Sequence, residues 1–202
     1  MQGIASNGAD VNLVKTHNIR TTAWGVELIP PQFTRSAIYV MRNPLDMVLS
    51  YARHYELSHE KAAEAICHPN NGLAADRRGV GQLLCSWGEH VACWTHSGPY
   101  PLLVLRYEDL LSQPEQEFAR VIEHLGLQVD NERLRRSIQH SSFDQLQQQE
   151  KQQGFIERRK GGDMFFGRGQ SGIWRDELSP ELVKYIRQRN KRMMKKYGYW
   201  ND

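Results

Sequence analysis

Two patterns of apolar positions alternate along the chain. Short, nearly unbroken apolar runs occur at Val11 to Lys15 (VNLVK), Ala37 to Met41 (AIYVM) and Leu102 to Leu105 (LLVL). Such runs suit strands that are covered on both faces. Between and after them the spacing becomes helical. Asn43 and Pro44 supply a cap and a first-turn proline for a helix through about Tyr55. Leu84, Trp87, Val91 and Trp94 fall on one face of a helix over Gly81 to His96. Gln113 to Leu125, Glu132 to Gln139 and Pro180 to Tyr197 read as further helices. Gln145 to Gln153 is biased toward glutamine. Gly161 to Gly172 is rich in glycine, either a surface loop or one that closes over a ligand. Strands alternating with helices predict an α/β fold of three layers around a central parallel sheet. No repeat or linker divides the chain, so residues 1–202 are expected to form a single domain.

Composition narrows the class. A chain of 202 residues can bury a substantial core, and 40% hydrophobic with 24% charged residues is globular rather than disordered. The formal charge of +3 suits an anionic small ligand as well as nucleic acid and does not separate them. No apolar stretch reaches bilayer-spanning length, so no membrane partner is expected. Met1 to Asn12 has neither a basic n-region nor an apolar h-region, and Cys67, Cys85 and Cys93 form no metal-type pair. A cytoplasmic protein with reduced thiols is the expectation. The eight histidines show no familiar ligand spacing, so no metal is expected.

Candidate chemistry gathers at strand ends, where parallel sheets place their ligands. The first run ends in Lys15-Thr16-His17, the second in Arg42-Asn43-Pro44, with Asp46 and Ser50 on the helix that follows. An arginine fork and a short hydroxyl together can hold one phosphate. Spacing alone leaves open a pairing of Arg42 with Asp46 or Glu108 and a solvent-facing Ser50. Lys15 and His17 are two residues apart, so on a strand both project to one side. His54, one turn after Ser50, reads as a surface histidine, and Cys85 and Cys93 as core residues.

Several segments, in order, resemble the PAPS-dependent sulfotransferase family. Lys15-Thr16-His17 is similar to its KTH segment, whose histidine is the catalytic base. Arg42-Asn43-Pro44-Leu45-Asp46 through Ser50 resembles its 3′-phosphate motif, in which the arginine and serine bind that phosphate. Tyr107-Glu108-Asp109 looks like its YED segment, whose tyrosine contacts adenine. Ser141-Ser142-Phe143 is similar to a segment whose phenylalanine packs on the base. Phe165-Phe166-Gly167-Arg168-Gly169, with Gly172 and Trp174, resembles its late nucleotide-closing loop, with Arg168 one position after the family's arginine.

The resemblance implies a P-loop nucleotide-hydrolase-like sulfotransferase fold, with PAPS as donor and PAP as product. His17 and Lys15 would be catalytic. Arg42, Ser50, Tyr107, Ser141, Phe143, Arg168 and Gly169 would bind the nucleotide. The acceptor would be a hydroxyl or amine on a small molecule or biopolymer. The family's strand, PKxGTTW-type loop and helix that precede KTH are absent from these 202 residues. The expectation is therefore an N-terminally incomplete fold, a natural truncation or a fragment. A second reading follows: a catalytically impaired remnant that binds PAP or a protein partner. A third uses the basic run from Lys184 to Lys196 for nucleic acid, but no recognition motif accompanies it, and no nucleic-acid partner is expected. A homo-oligomer is left open.

Overall fold

A computed structural model describes residues 12–75, 80–156, 158 and 164–202. The chain begins with a small hairpin, β1 (Thr22–Ala23) and β2 (Val26–Glu27), and a 3-10 turn at Pro31–Phe33. Then come β3 (Ala37–Met41), α1 (Pro44–Tyr55), α2 (His59–Cys67), β4 (Gly72–Leu73), β5 (Gln82–Leu83) and α3 (Trp87–Thr95). The rest is β6 (Leu102–Arg106), α4 (Tyr107–Ser112), α5 (Pro114–His124), α6 (Asn131–His140), α7 (Phe143–Gln153), α8 (Trp174–Glu177) and α9 (Pro180–Lys196). Among these helices none is long and apolar enough to cross a membrane.

At the centre β3 and β6 run parallel, in register from Ala37 opposite Leu102 to Met41 opposite Arg106. Successive strand residues face opposite sides. Tyr39, Met41 and Val104 therefore face one way and join the main core with α1, α2, α3 and α9. Leu105 is buried on the other side, where α5 packs on β6 and the His124 Nε2 meets the Ala37 carbonyl at 3.0 Å. Helices on both faces of a parallel pair make the expected α/β arrangement.

Apolar stripes at helical spacing build the core. Leu45, Val48 and Ala52 of α1 meet Ala62, Ala63 and Ile66 of α2. The paired alanines leave room for the close approach of the two helices. Asn190 on α9 is buried, accepts from the Gly88 amide at 2.9 Å and donates to the Ile186 carbonyl at 3.0 Å. That amide is one of the donors a helix leaves unpaired in its first turn, so Asn190 fastens α9 to the start of α3.

Two expectations need correction. Val11 lies outside the described residues, and Asn12 to Lys15 form no strand. Among the described residues no strand pairs with them, and Leu13 and Val14 are 81% and 59% exposed. The pleat that would send Lys15 and His17 to one side is therefore missing. The helix expected from Gly81 starts instead at Trp87. Gln82–Leu83 pair with Gly72–Leu73, and Ser86 with Glu89 forms a capping box that sets the helix start. The glutamine-rich segment, marked in the sequence only by its composition, lies within α7.

Candidate functional site

The residues after β3 form a tight junction. Asn43 caps α1 by accepting from the Leu45 amide at 3.0 Å, and its own amide donates to Glu108 Oε1 at 2.9 Å. Tyr199 donates to the other Glu108 oxygen at 2.9 Å. Asp46, fully buried, accepts from the amides of Gly172 at 2.7 Å and Trp174 at 3.1 Å. Both carboxylates that might have engaged Arg42 thus serve backbone amides and a tyrosine. Arg42 is left for another purpose. Its Nη2 donates to the Gln170 carbonyl at 2.8 Å, and its guanidinium lies over the Tyr107 ring, 4.6 Å from the centroid. The Nε is buried without an acceptor. The Nε atoms of Arg106 and Arg187 are likewise buried without an acceptor.

The late segment is fastened from two sides. From α7, Gln147 donates to the carbonyls of Phe166 at 3.0 Å and Gly167 at 3.3 Å. Glu150, 2% exposed, accepts from the amides of Phe165 at 2.6 Å and Phe166 at 2.9 Å. Phe143, Gln147 and Glu150 are spaced four and three apart, so they share a face of α7. Phe143 completes that face: a β-carbon on Gly169 would sit 2.4 Å from its ring. From α1, Arg53 donates to the Phe165 carbonyl at 3.3 Å, beside the Asp46 bonds just described. Gly161 lies outside the described residues.

Of the residues expected to bind nucleotide, Arg42 and Tyr107 touch each other. Phe143 and Gly169 touch each other too, next to Gln170, whose carbonyl meets Arg42. Ser50 is half-buried on α1. Two residues are engaged elsewhere. Arg168 is exposed and ion-paired with Glu177, and the Ser141 hydroxyl donates back to the Ser137 carbonyl.

Lys15 and His17 are exposed. The backbone that follows is held by α3. The His90 Nε2 meets the His17 carbonyl at 3.1 Å, Trp94 Nε1 donates to the Asn18 carbonyl at 3.0 Å, and the Cys93 thiol donates to the Arg20 carbonyl at 2.6 Å. The Ile19 amide donates to the Leu83 carbonyl at 2.9 Å, and the Leu83 amide to Asn18 Oδ1 at 2.8 Å. Trp87, on the same helix, donates from Nε1 to the Arg42 carbonyl at 3.1 Å. In the sequence Trp87 and Trp94 share one apolar helical face, and nothing in that pattern singles out His90. The capping box at Ser86 was the available signal, because it fixes the helix start and with it the common face of 87, 90 and 94.

A shallow pocket of about 200 Å³ also lies at the start of α1, lined by Asn43, Asp46, Arg106, Glu108 and Asp202 among others. Its three carboxylates make it a poor host for a phosphate, and Arg42 is not among its lining residues.

Comparison with known proteins agrees with this architecture. The sulfotransferase domain family matches residues 3–198. Mouse sulfotransferase 1 family member D1 is 26% identical over 189 residues, 88% of this chain and 62% of that protein. Cattle sulfotransferase 1A1 is 29% identical over 114 residues, 54% of this chain and 36% of that protein. The chain thus spans less than two thirds of the length of these relatives. Among solved structures, mouse sulfotransferase SULT7A1 complexed with PAP aligns with a TM-score of 0.58 at 20% identity, covering 78% of this chain and 58% of that one. Retinol dehydratase, in a complex with retinol and PAP, aligns with the same TM-score of 0.58 at 24% identity, covering 78% and 47%. These likenesses establish the P-loop-type α/β fold. Since the family match covers nearly the whole chain, this protein belongs to the sulfotransferase family.

Proposed function

We propose that the chain takes part in sulfuryl transfer from PAPS to an acceptor hydroxyl or amine, leaving PAP. The observation that carries this reading is the Arg42 guanidinium, set directly after β3, stacked on Tyr107 and bonded to Gln170 of the late segment. Arg42 and Ser50 are assigned to the 3′-phosphate, and Tyr107 and Phe143, each beside the late segment, to the adenine. The family's motifs stand at these positions, and two solved relatives of the same fold hold PAP. In the chemistry, the acceptor oxygen or nitrogen forms a bond to sulfur as the sulfur–oxygen bond to the 5′-phosphate breaks. The acceptor's proton must leave as the new bond forms. A neutral imidazole can take a proton at neutral pH, and His17 is assigned that part. Lys15 is assigned to the charge on the sulfuryl oxygens. Catalysis of such transfers is mostly positioning and charge stabilisation, which asks for fixed donors rather than covalent chemistry.

Sulfur-labelled PAPS, incubated with the chain and a panel of phenols, alcohols and amines, tests the reading. Label is expected to move to at least one acceptor. His17→Ala is expected to lower turnover by about 10² to 10⁴ while leaving PAP affinity within about twofold. Transfer that His17→Ala leaves intact would remove the base. No transfer, with PAP bound normally, would favour a nucleotide-binding protein without catalysis.

A further inference from the structure

We propose that His90 is a positioning residue for the base, holding the main chain at His17 in a fixed relation to the Arg42 site. The proposal rests on the assignment of His17 as the base. A catalytic group displaced by about 1 Å can lose about 10²-fold in rate, so the segment bearing His17 needs firm support. A strand would give that support through its ladder, but Asn12 to His17 form none. The support comes instead from side chains. Trp87, His90 and Trp94 fall at i, i+3 and i+7 on α3 and turn ring N–H groups toward one side. Trp87 donates to the carbonyl of Arg42, and Trp94 to that of Asn18, at 3.1 and 3.0 Å. His90, between them, meets the carbonyl of His17 at 3.1 Å. Positions 87 and 90 are about 4.5 Å apart along a helix axis. One rigid helix therefore touches the backbone at both the phosphate-binding arginine and the base.

The protons of this link are determined by its partners. A carbonyl only accepts, so His90 must carry hydrogen on Nε2 and donate it to His17. The Nδ1 of the neutral ring then accepts, and the Tyr39 hydroxyl, 2.8 Å away, donates to it. Burial holds the Tyr39 phenol far above its ordinary pKa, so the hydroxyl keeps its proton. Tyr39 stands on β3, which ends at Met41 just before Arg42, and its ring stacks on both His90 and Trp94 at centroid distances of 5.6 and 5.8 Å. A continuous path results: the strand leading into Arg42, the Tyr39 hydroxyl, the His90 ring, the His17 carbonyl. Each link has one donor and one acceptor, so the ring cannot flip without losing both bonds.

Nitrogen-15 spectra of the full labelled chain read the tautomer directly. His90 is expected to show a protonated Nε2 and an unprotonated Nδ1 at pH 7.5; the opposite tautomer would overturn the proposal. Amide exchange at Ile19 and Leu83 reads the clamp. In His90→Phe, which keeps the size and loses both bonds, exchange at these two amides is expected to rise about tenfold or more, with α9 and β3 unchanged. In His90→Gln, which can donate and accept at once, it should stay within about threefold of the wild type. Unchanged exchange at Ile19 in folded His90→Phe would refute the clamp. If His90→Phe does not fold, failure of His90→Gln to retain protection at Ile19 would refute it equally. In the labelled-PAPS assay, His90→Phe should lower kcat while leaving KM for PAPS unaltered. The two claims part cleanly: no transfer by the wild-type chain sinks the base at His17, whereas the tautomer and exchange readings judge the clamp regardless.

Discussion

At the scale of single residues, identity was more legible in the sequence than partnership. Arg42, Tyr107 and Phe143 were named from short segments, and Arg42 with Tyr107 and Phe143 with Gly169 turn out to be contacting pairs. Asp46 was legible only as a competitor for Arg42. In the folded chain it accepts two amides from a segment about 130 residues later, a relation no local pattern carries. Arg168 illustrates the same limit, since its ion pair with Glu177 depends on where a short helix, α8, begins. Gly169 is the sharpest case. Its φ of +61° disfavours a side chain, and its position against the Phe143 ring leaves no room for one. Gly169→Ala is expected to lower stability by about 1 to 3 kcal/mol, from left-handed strain and from the displaced ring. For a chain of this size that is a fall of about 2–4 °C in Tm per kcal/mol, checked by thermal melts. Affinity for PAP should fall with it, because Phe143 is the ring assigned to adenine.

Among the elements, those with strong local signals stand where the pattern put them. β3 coincides with its apolar run, and α1, α5, α6 and α9 lie within a residue or two of expectation. Two elements resisted for different reasons. The run at Val11 to Lys15 is apolar enough for a strand, but a strand exists only with a neighbour, and hydrophobicity cannot report one. The glutamine-rich α7 has little apolar stripe; Gln147 and Glu150 are ordered by backbone groups of the late segment that they hold. For α3, the half-buried ring of His90 makes a pH prediction. Burial first, and the nearby His17 to a lesser degree, hold its pKa below the ordinary 6.5, against the opposing effect of its bond to the His17 carbonyl. The unfolded chain therefore binds this proton more readily than the folded one. The contribution of the neutral ring is complete above about pH 6.5 and is lost as pH falls through the lowered folded value. Urea melts at pH 8, 7, 6 and 5 should show the stability gap between wild type and His90→Gln constant in the upper pair and narrowing in the lower. A gap that does not change with pH would mean that the ring does not titrate as its burial requires.

For the molecule as a whole, the parallel pair and its flanking helices form a frame on which two separate holds meet. One, from α7 and the start of α1, fixes the late segment around Arg42, Tyr107 and Phe143. The other, from α3, fixes the backbone at His17. The fold class was readable from alternation alone; that α3 joins the two holds was not, because the bonds run from side chains to distant carbonyls. Fold by itself does not decide chemistry; the ligand that Arg42 binds does. Isothermal titration of PAP and of adenosine 5′-phosphate, which lacks the 3′-phosphate, into wild type and Arg42→Ala tests this most directly. Wild type is expected to prefer PAP, and Arg42→Ala to lose about 1.5 to 3 kcal/mol of PAP binding while holding adenosine 5′-phosphate as before. Equal losses for the two nucleotides, or a wild type that does not distinguish them, would contradict the assignment of Arg42 to the 3′-phosphate.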